Sequence, residues 1–591
     1  MARRGTVIVF SILGFAFLLS MGAFIALYVL FGRTPSVSAN TMLTLELGGD
    51  ITETSPTDVV SYLRGSRTPT VGVITSNLRK AKVDSHIKGV FLKMTGFNTP
   101  FWGKLQEIRD AIVDFKTSGK PVYAYLEYGG DRDYYVASVA DKVFLLPSSP
   151  LDMSGVATYE VFLRGALDKF GVYPDLHHIG DYKTASNTFT ETTFTPAHRE
   201  MDEALNRDLF GQIVHGIADG RKQSDAAVRA LIDEGPFLPA RAREAGLIDE
   251  IGYEDEARAA LREALGVTAP RELKGEDYAH VSPGSLGLNR GPRVGVIYAA
   301  GTITEGQSGF DPMNGATVGS STLIDAIRAA RKDSSLRAIV LRIDSPGGSA
   351  AASDAIWHEL MLMHDERPNR PLIASMSDLA ASGGYYIAAP ADAIVAQPST
   401  LTGSIGIFGG KFVMGGLYGK LGASIESTSI GKNAEMNSPA RPFNRDETKK
   451  IDEQLNAFYQ DFVRKVAASR KTTPERIDAI AQGRVWTGQQ AKEVGLVDDL
   501  GGLETAVAVA KQRAGIPATQ EVELVSYPAQ KTFYQMLSEQ MSGTTGARLA
   551  SEWMSSNLSD EEREVLRAVR GPATMFHRGE ALALMPMWYV R

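Results

Sequence analysis

The chain repeats itself once, and this duplication limits how it can fold. Residues 385–392 read YYIAAPAD, and residues 134–141 read YYVASVAD. Further matches recur at nearly the same separation: DSHI at 84–87 against DSSL at 333–336, and GLIDE at 246–250 against GLVDD at 495–499. A chain of 591 residues is also too long for one hydrophobic core. We therefore expect two tandem domains of one fold.

Alignment of the two copies indicates that each has lost what the other retains. Ser382 lies in a run of small residues and corresponds to Asp131, while Lys183 corresponds to Ala434. The Pro-Gly-Gly sequence at 346–348 corresponds to Phe-Asn-Thr at 97–99, so the first copy lacks the glycines that let a backbone approach a ligand closely. The second copy thus keeps a serine, and the first keeps a lysine.

The repeats alternate strand-like and helix-like segments, which is typical of a parallel α/β fold. We expect two βα spirals, an N-terminal repeat at 41–265 and a C-terminal repeat at 293–514, joined by a linker at 266–292 that is rich in Gly, Pro and charge. Residues 515–591 have no counterpart in the first copy and carry helical signals. They are expected to be a helical tail for packing or assembly, although the apolar end at 585–589 also permits membrane contact.

The N-terminus carries an apolar stretch. Residues 7–31 hold no charge, and Arg3, Arg4 and Arg33 flank them. Twenty-five apolar residues can span a bilayer as a helix and exceed the core of a cleaved signal peptide, although residues 37–39 resemble a weak cleavage site. The charge bias predicts a single-pass anchor with residues 1–6 in the cytoplasm, 32–40 as a spacer and the rest outside, which in a Gram-negative cell is the periplasm.

Composition excludes several classes of function. The net charge of −7 and the lack of a basic run argue against a nucleic-acid partner. The chain has no cysteine, so a thiol nucleophile, a disulfide and a thiolate metal site are all excluded. No metal-ligand cluster stands out in the sequence, and we expect neither a metal nor another cofactor.

Serine chemistry is nevertheless possible. Small neighbours leave the hydroxyl of Ser382 open to a carbonyl, and the amides near Gly347 and Gly383 could stabilise an oxyanion. No histidine is well placed as a base, which leaves a lysine that must be neutral. Lowering a lysine pKa from about 10.4 to about 8 costs roughly 3 kcal/mol, which burial can supply. Taken alone, Ser382 could equally be a helix cap, and Lys183 a solvated surface residue.

Several motifs resemble a known family. The sequences ASGGYY at 381–386, LTGSIG at 401–406, VWTGQQA at 485–491 and GLVD at 495–498 resemble the signal peptide peptidase A family, serine peptidase family S49, in its long duplicated form. The resemblance implies a fold similar to Clp protease and crotonases. It also implies Ser382 as nucleophile, Lys183 as general base, Ser404 orienting the lysine, and Gly347 with Gly383 lining the oxyanion hole.

The resemblance further implies a membrane-anchored endopeptidase that degrades cleaved signal peptides, assembled as a bowl-like homotetramer. Two alternatives stay open. One is a catalytically silent scaffold that binds apolar peptides or organises membrane proteins, and the other is a crotonase-like acyl-CoA enzyme, which the predicted location outside the cytoplasm disfavours. The sequence also leaves open whether Lys183 reaches Ser382 within one protomer or across an interface.

Overall fold

The structure is a computed structural model. It describes residues 21–22, 37–54, 70–267, 270–311, 315–528, 581–586 and 589–590. Within these ranges no helix is both long and apolar enough to cross a membrane. The predicted anchor at 7–31 lies, except for Met21 and Gly22, outside the described residues.

The secondary structure alternates strands and helices through both halves of the chain. The strands are β1 Thr41–Gly49, β2 Ile87–Phe97, β3 Val122–Leu126, β4 Gly129–Gly130, β5 Lys142–Leu145, β6 Leu151–Asp152, β7 Thr158–Tyr159, β8 Tyr173–Ile179, β9 Glu250–Ile251, β10 Arg271–Lys274, β11 Arg293–Ala300, β12 Thr302–Thr304, β13 Gly309–Asp311, β14 Gly315–Gly319, β15 Leu336–Ser345, β16 Gly347–Ser349, β17 Leu372–Ala381, β18 Ala393–Ala396, β19 Leu401–Gly403, β20 Ile407–Val413, β21 Val485–Thr487, β22 Asp499–Leu500, β23 Glu523–Tyr527, β24 Leu582–Leu584 and β25 Tyr589–Val590. The helices are α1 Val71–Val83, α2 Gly103–Lys116, α3 Asp131–Ala137, α4 Arg164–Phe170, α5 Asn187–Thr190, α6 Pro196–Arg221, α7 Asp225–Glu234, α8 Pro239–Glu244, α9 Glu254–Ala264, α10 Gly275–Tyr278, α11 Ser320–Lys332, α12 Ala350–Glu366, α13 Gly383–Ala388, α14 Gly415–Lys420, α15 Arg445–Ser469, α16 Pro474–Ile480, α17 Gly488–Glu493 and α18 Leu503–Arg513.

Each repeat is built on its own parallel sheet. In the first repeat the strand order is β10-β1-β2-β3-β5-β9, and in the second the equivalent strands are β23, β11, β15, β17, β18 and β22. In the central strand β3, every residue is buried. Strands that are buried on both faces are typical of parallel sheets covered by helices.

The helices cover these sheets with one apolar side. In α1, Val71, Ile74, Leu78 and Ala81 recur at intervals of three or four residues and are all buried. The hydroxyl of Thr70 caps the helix by accepting from the amide of Val73. The corresponding helix α11 buries its own apolar side in the second repeat. The molecule thus has two principal hydrophobic cores, one per repeat.

The ends of the repeats differ from the boundaries expected from sequence. Strand β10 lies in the segment predicted as a linker, and β23 lies in the segment predicted as a helical tail. Each pairs in parallel with the first strand of its repeat, β1 or β11. Both strands are short and partly exposed, so their sequences lack the apolar run that marks the central strands. The start of the C-terminal segment therefore does have a counterpart in the first repeat.

A third sheet joins the two repeats. Its order is β13-β14-β12-β16-β24-β20-β8, and it includes β8 from the first repeat and β24 from near the C-terminus. Strands β8 and β20 pair antiparallel over their whole lengths, from Tyr173 opposite Val413 to Ile179 opposite Ile407. This pairing fixes the register of the first repeat on the second.

A buried cluster of charges also links the repeats. The amine of Lys104, on α2, lies 2.7 Å from carboxylate oxygens of both Asp344 and Asp378 in the second repeat. Beside it, Arg342 of β15 donates to Glu53 and Glu107 of the first repeat, at 2.9 and 2.6 Å. Removing one partner from such a buried set leaves an uncompensated charge, so the cluster couples the two halves strongly.

Candidate active site

Ser382 occupies a sharp turn between strand β17 and helix α13. Its backbone has φ 55° and ψ −112°, a conformation that costs energy for any residue other than glycine. Its amide donates to the carbonyl of Gly403, and its carbonyl accepts from the amide of Tyr386. Gly384 permits the turn, because a Cβ there would lie 2.7 Å from the carbonyl oxygen of Ser345. The turn therefore fixes the direction in which the serine hydroxyl projects.

Lys183 reaches the second repeat because of the β8–β20 pairing. Lys183 follows Ile179, the last residue of β8, and Ser404 precedes Ile407, the first residue of β20. Since Ile179 and Ile407 are paired, the segments beyond them run side by side. The segment around Lys183 thus lies in the interface between the two repeats, and the lysine side chain is not exposed to solvent.

The structure brings Ser382, Lys183 and Ser404 together within one chain. The amine Nζ of Lys183 lies 2.8 Å from the hydroxyl Oγ of Ser382. It also lies 3.0 Å from Oγ and 3.2 Å from the carbonyl oxygen of Ser404. All three residues are fully buried. Burial lowers the pKa of Lys183 well below its ordinary value, which favours the neutral amine.

The loop that contains Gln482 and Gly483 packs against the backbone of Lys183, a contact that the sequence did not indicate. The amide of Tyr182 donates to the carbonyl of Gln482 at 2.9 Å. Gly483 packs directly on the lysine backbone, because a Cβ at that position would lie 2.5 Å from both N and Cα of Lys183. Gly483 also has φ +79°. The positive φ and the close approach both require glycine, but a single glycine in a sequence signals neither.

Gly347 and Gly383 lie beside the serine and adjoin one another. A Cβ on Gly347 would lie 2.7 Å from the amide nitrogen of Gly383, so the two backbones are in close contact. The first turn of α13 leaves the amide of Gly383 without a partner inside the helix. The amide of Gly347 donates to Oγ of Ser345 at 3.2 Å. Of the two amides, that of Gly347 therefore has a competing acceptor.

Strand β24 lies across this site. It pairs antiparallel with β16, where Leu584 is opposite Gly347 and Ala583 is opposite Gly348, and on its other side with β20. The carbonyl oxygen of Ala583 would be 2.0 Å from a Cβ on Gly347. Met585 packs in an apolar cluster that includes Ala381, the residue before the serine. An extended apolar segment of the chain thus lies beside the serine and lysine and helps to bury them.

Comparison with known proteins gives the family of this fold and site. The model of "Peptidase family S49" matches the chain twice, at residues 114–268 and 364–517. The chain belongs to peptidase family S49. The two matches confirm the internal duplication predicted from the sequence, with one match in each α/β repeat.

Related proteins agree with this family. "Serine protease SPPA, chloroplastic" from Arabidopsis thaliana is 36% identical over 83% of this chain and 71% of its own length. "Protease 4" from Salmonella typhi is 34% identical over 80% of this chain and 76% of its own, and that from Haemophilus influenzae is 30% identical over 77% and 75%. The S49 chain is therefore a serine endopeptidase, and the two Protease 4 relatives indicate a bacterial protein.

Among solved structures, a mutant of ClpP1 from Listeria monocytogenes has a TM-score of 0.24 and 13% identity, over 36% of this chain and 94% of its own. The Clp protease/crotonase-like form of the spiral stays a prediction.

The residues at or near the positions that correspond to Ser382 and Lys183 in the opposite repeat make other contacts. Asp131 begins helix α3, at the same point in the first repeat as Ser382 in the second. Lys432, the lysine near Ala434, has a side chain 76% exposed and pairs with Asp446 at 2.8 Å. Among the described residues, the amine that contacts Ser382 therefore comes from the first repeat.

Proposed function

We propose that this S49 endopeptidase uses Ser382 as nucleophile and Lys183 as general base. The proposal depends on one observation, the 2.8 Å contact between the lysine amine and the serine hydroxyl in a fully buried site. A neutral amine at this distance can accept the hydroxyl proton as the oxygen attacks a carbonyl carbon. The contact with Ser404 orients the amine toward the serine.

The reaction proceeds in two halves. In the first, Oγ of Ser382 bonds to the scissile carbonyl carbon, Lys183 takes the proton and then gives it to the leaving amine, and the peptide C–N bond breaks. In the second, Lys183 takes a proton from a water molecule that attacks the ester, and it returns that proton to Ser382 as the acid product leaves. The lysine ends neutral, so each turnover restores the starting state.

The amides of Gly383 and Gly347 stabilise the negative charge on the carbonyl oxygen during attack. Donors that are already positioned where charge develops contribute several kcal/mol to such reactions. The Gly383 amide is available at the start of α13. The amide of Gly347 contributes once it exchanges Oγ of Ser345 for the substrate oxygen, which is feasible because that hydrogen bond is long, at 3.2 Å.

The substrates are extended, apolar peptides, and we propose cleaved signal peptides. The position of β24 supports this proposal. A segment with the sequence ALALM at 581–585 adds to the sheet between β16 and β20, as a peptide does when it binds by strand addition. Leu582 and Leu584 contact Ala185 and Phe408, which would bind apolar substrate side chains in the same way. A substrate takes the place of β24.

We also propose that the enzyme is anchored to the bacterial inner membrane through residues 7–31, with its catalytic part in the periplasm. An apolar segment of 25 residues and its flanking arginines support this placement. An enzyme held at the bilayer surface meets signal peptides where they are released.

Assembly into a homotetramer completes the proposal. The counterpart of β8 in the second repeat is the segment 424–430, which is exposed and includes Ile430, with a fully exposed side chain. The counterpart of β20 in the first repeat is the segment 156–162, where Val161 is exposed. If 424–430 of one chain pairs with 156–162 of the next, the contact within the chain is repeated between chains, and we propose that four such head-to-tail contacts close into a ring. Light scattering on Ile430→Asp tests this: the tetramer should dissociate.

Hydrolysis of a fluorogenic apolar peptide by purified variants tests the dyad. Ser382→Ala and Lys183→Ala should each lower kcat by about 10⁴-fold or more, because removing one residue of a catalytic unit costs nearly as much rate as removing all of them. Lys432→Ala is the matched control and should keep full activity, since its side chain is 76% exposed. Full activity in Lys183→Ala, or loss in Lys432→Ala, would overturn the assignment. Equal turnover in Ser382→Ala and wild type would instead favour a silent scaffold.

A further inference from the structure

A second cluster of titratable side chains lies outside the catalytic site. His198 and Asp202 are four residues apart on one side of α6, and Glu160 follows strand β7. Their side chains are 0%, 8% and 2% exposed, respectively. One ligand atom from each residue lies within 4.8 Å of the others. The proposed peptidase mechanism uses none of these groups.

The carboxylate of Asp202 has no compensating partner among the residues that the structure describes. Neither of its oxygens accepts a hydrogen bond there. Nε2 of His198 lies 3.9 Å from the Asp202 carboxylate and closer to that of Glu160, at 2.8 Å. The carboxylate of Glu160 adjoins that of Asp202, with ligand atoms of the two residues within 4.8 Å of each other. Two buried carboxylates side by side are costly without a proton or a cation between them.

The second repeat has a different set of charges at the corresponding position. Helix α6 has Thr195 as its N-cap, and the corresponding helix α15 has Asn444. When the two caps are aligned, His198 corresponds to Glu447 and Asp202 corresponds to Ile451.

Glu160 corresponds to Lys411 at the repeat separation. In the second repeat, Arg441 contacts Glu447 at 2.7 Å, and the charge of Lys411 also lowers the pKa of Glu447. There, one carboxylate faces two cations. In the first repeat, the lysine position holds a second carboxylate.

We propose that Glu160, His198 and Asp202 bind a divalent first-row transition-metal ion, with Zn²⁺ as the representative. One imidazole nitrogen and two carboxylate oxygens form a donor set that suits Zn²⁺, and bond lengths of about 2.0–2.2 Å place ligand atoms roughly 3.4 Å apart. Such spacing needs little movement from the observed cluster. The ion would supply the positive charge that Lys411 and Arg441 supply in the second repeat.

The ion would also stiffen the segment that carries the lysine. Nδ1 of His198 lies 3.4 Å from the side-chain amide of Asn187, in α5, the helix shortly after Lys183. When Nε2 binds a metal, Nδ1 carries the proton and needs an acceptor, which the amide oxygen of Asn187 provides after a flip of the amide. The site thus ties α6, the segment after β7 and α5 together.

Metal content of the full-length protein tests this inference. After removal of metal with EDTA, reloading with ZnCl₂ and desalting, we expect about one Zn²⁺ per chain by mass spectrometry. Asp202→Asn and Glu160→Gln should weaken Zn²⁺ binding by more than about 100-fold, since even outer partners of a ligand contribute 10–100-fold. His215→Ala is the control and should bind as wild type, because its ring pairs with Asp225 on the exposed surface.

A triple variant separates loss of binding from loss of fold. Glu160→Lys with His198→Glu and Asp202→Ile installs the lysine, glutamate and isoleucine that the second repeat has at these positions, so it should fold, melt cooperatively and retain no Zn²⁺. Retention of Zn²⁺ by this variant would overturn the proposal. So would a wild-type protein that retains no Zn²⁺; if Asp202→Asn then had a higher Tm than wild type, a shared proton would be what balances the two carboxylates.

Discussion

Replacing Gly483 by alanine should inactivate the enzyme by moving its lysine. The new Cβ would lie 2.5 Å from N and Cα of Lys183 and 2.6 Å from its Cβ, whereas ordinary contact begins near 3.4 Å. The two backbones must therefore separate by roughly 0.9 Å. Since a misplacement of about 1 Å in a catalytic group can cost 100-fold in rate, we expect kcat/KM to fall by about two orders of magnitude.

Gly495→Ala is the matched control for this change. Gly495 has φ +83°, close to the +79° of Gly483, but a Cβ there meets no atom within 4 Å. Both variants should lose about 1–2 kcal/mol of stability from the left-handed backbone, and only Gly483→Ala should lose activity. Hydrolysis of a fluorogenic peptide and denaturant unfolding of both proteins measure the two effects. If both variants hydrolyse the peptide equally well, the loop does not position the lysine.

Three further predictions concern the lysine, the bound strand and the buried charges. Burial lowers the pKa of Lys183, so between that lowered value and about 10.4 the unfolded chain holds one proton more. Stability should therefore rise with pH in this window by up to about 1.4 kcal/mol per pH unit relative to Lys183→Met, and parallel curves in denaturant unfolding would contradict this. Leu582→Asp combined with Leu584→Asp should displace β24 and lower KM for short peptides; an unchanged KM would mean that β24 does not compete with substrate. Lys104→Met should lower the free energy of unfolding by about 3–5 kcal/mol, because it leaves the carboxylates of Asp344 and Asp378 buried without their cation. A loss no larger than that of an exposed lysine variant would show that the cluster does not couple the repeats.

The duplication was readable in the sequence because the repeats still share local patterns. The duplication also indicated candidate catalytic residues, since Ser382 and Lys183 each occupy a position where the other repeat has a different residue. The contact between them was less accessible, because it depends on β8 crossing to β20 of the other repeat. No local periodicity reports the partner of a strand.

Other features depend on contacts between residues far apart in sequence. Glu160 and His198 are separated by 38 positions, and no spacing rule connects a residue after a short strand to a helix at that distance. The pairing of β24 with β16 joins residues more than 200 positions apart, and its sequence resembles any apolar tail. Sequence patterns record burial and turns, whereas these sites arise from how separate elements dock.

The distribution of the site along the chain has a consequence for synthesis. The lysine and the serine are 199 positions apart, and β24 enters the site from residues near the C-terminus. Because the lysine lies in the first repeat and the serine in the second, the proposed dyad can form only after the ribosome has passed Ser382 and the strand β20 that pairs with β8. The growing polypeptide therefore carries no assembled dyad while the first repeat is being synthesised.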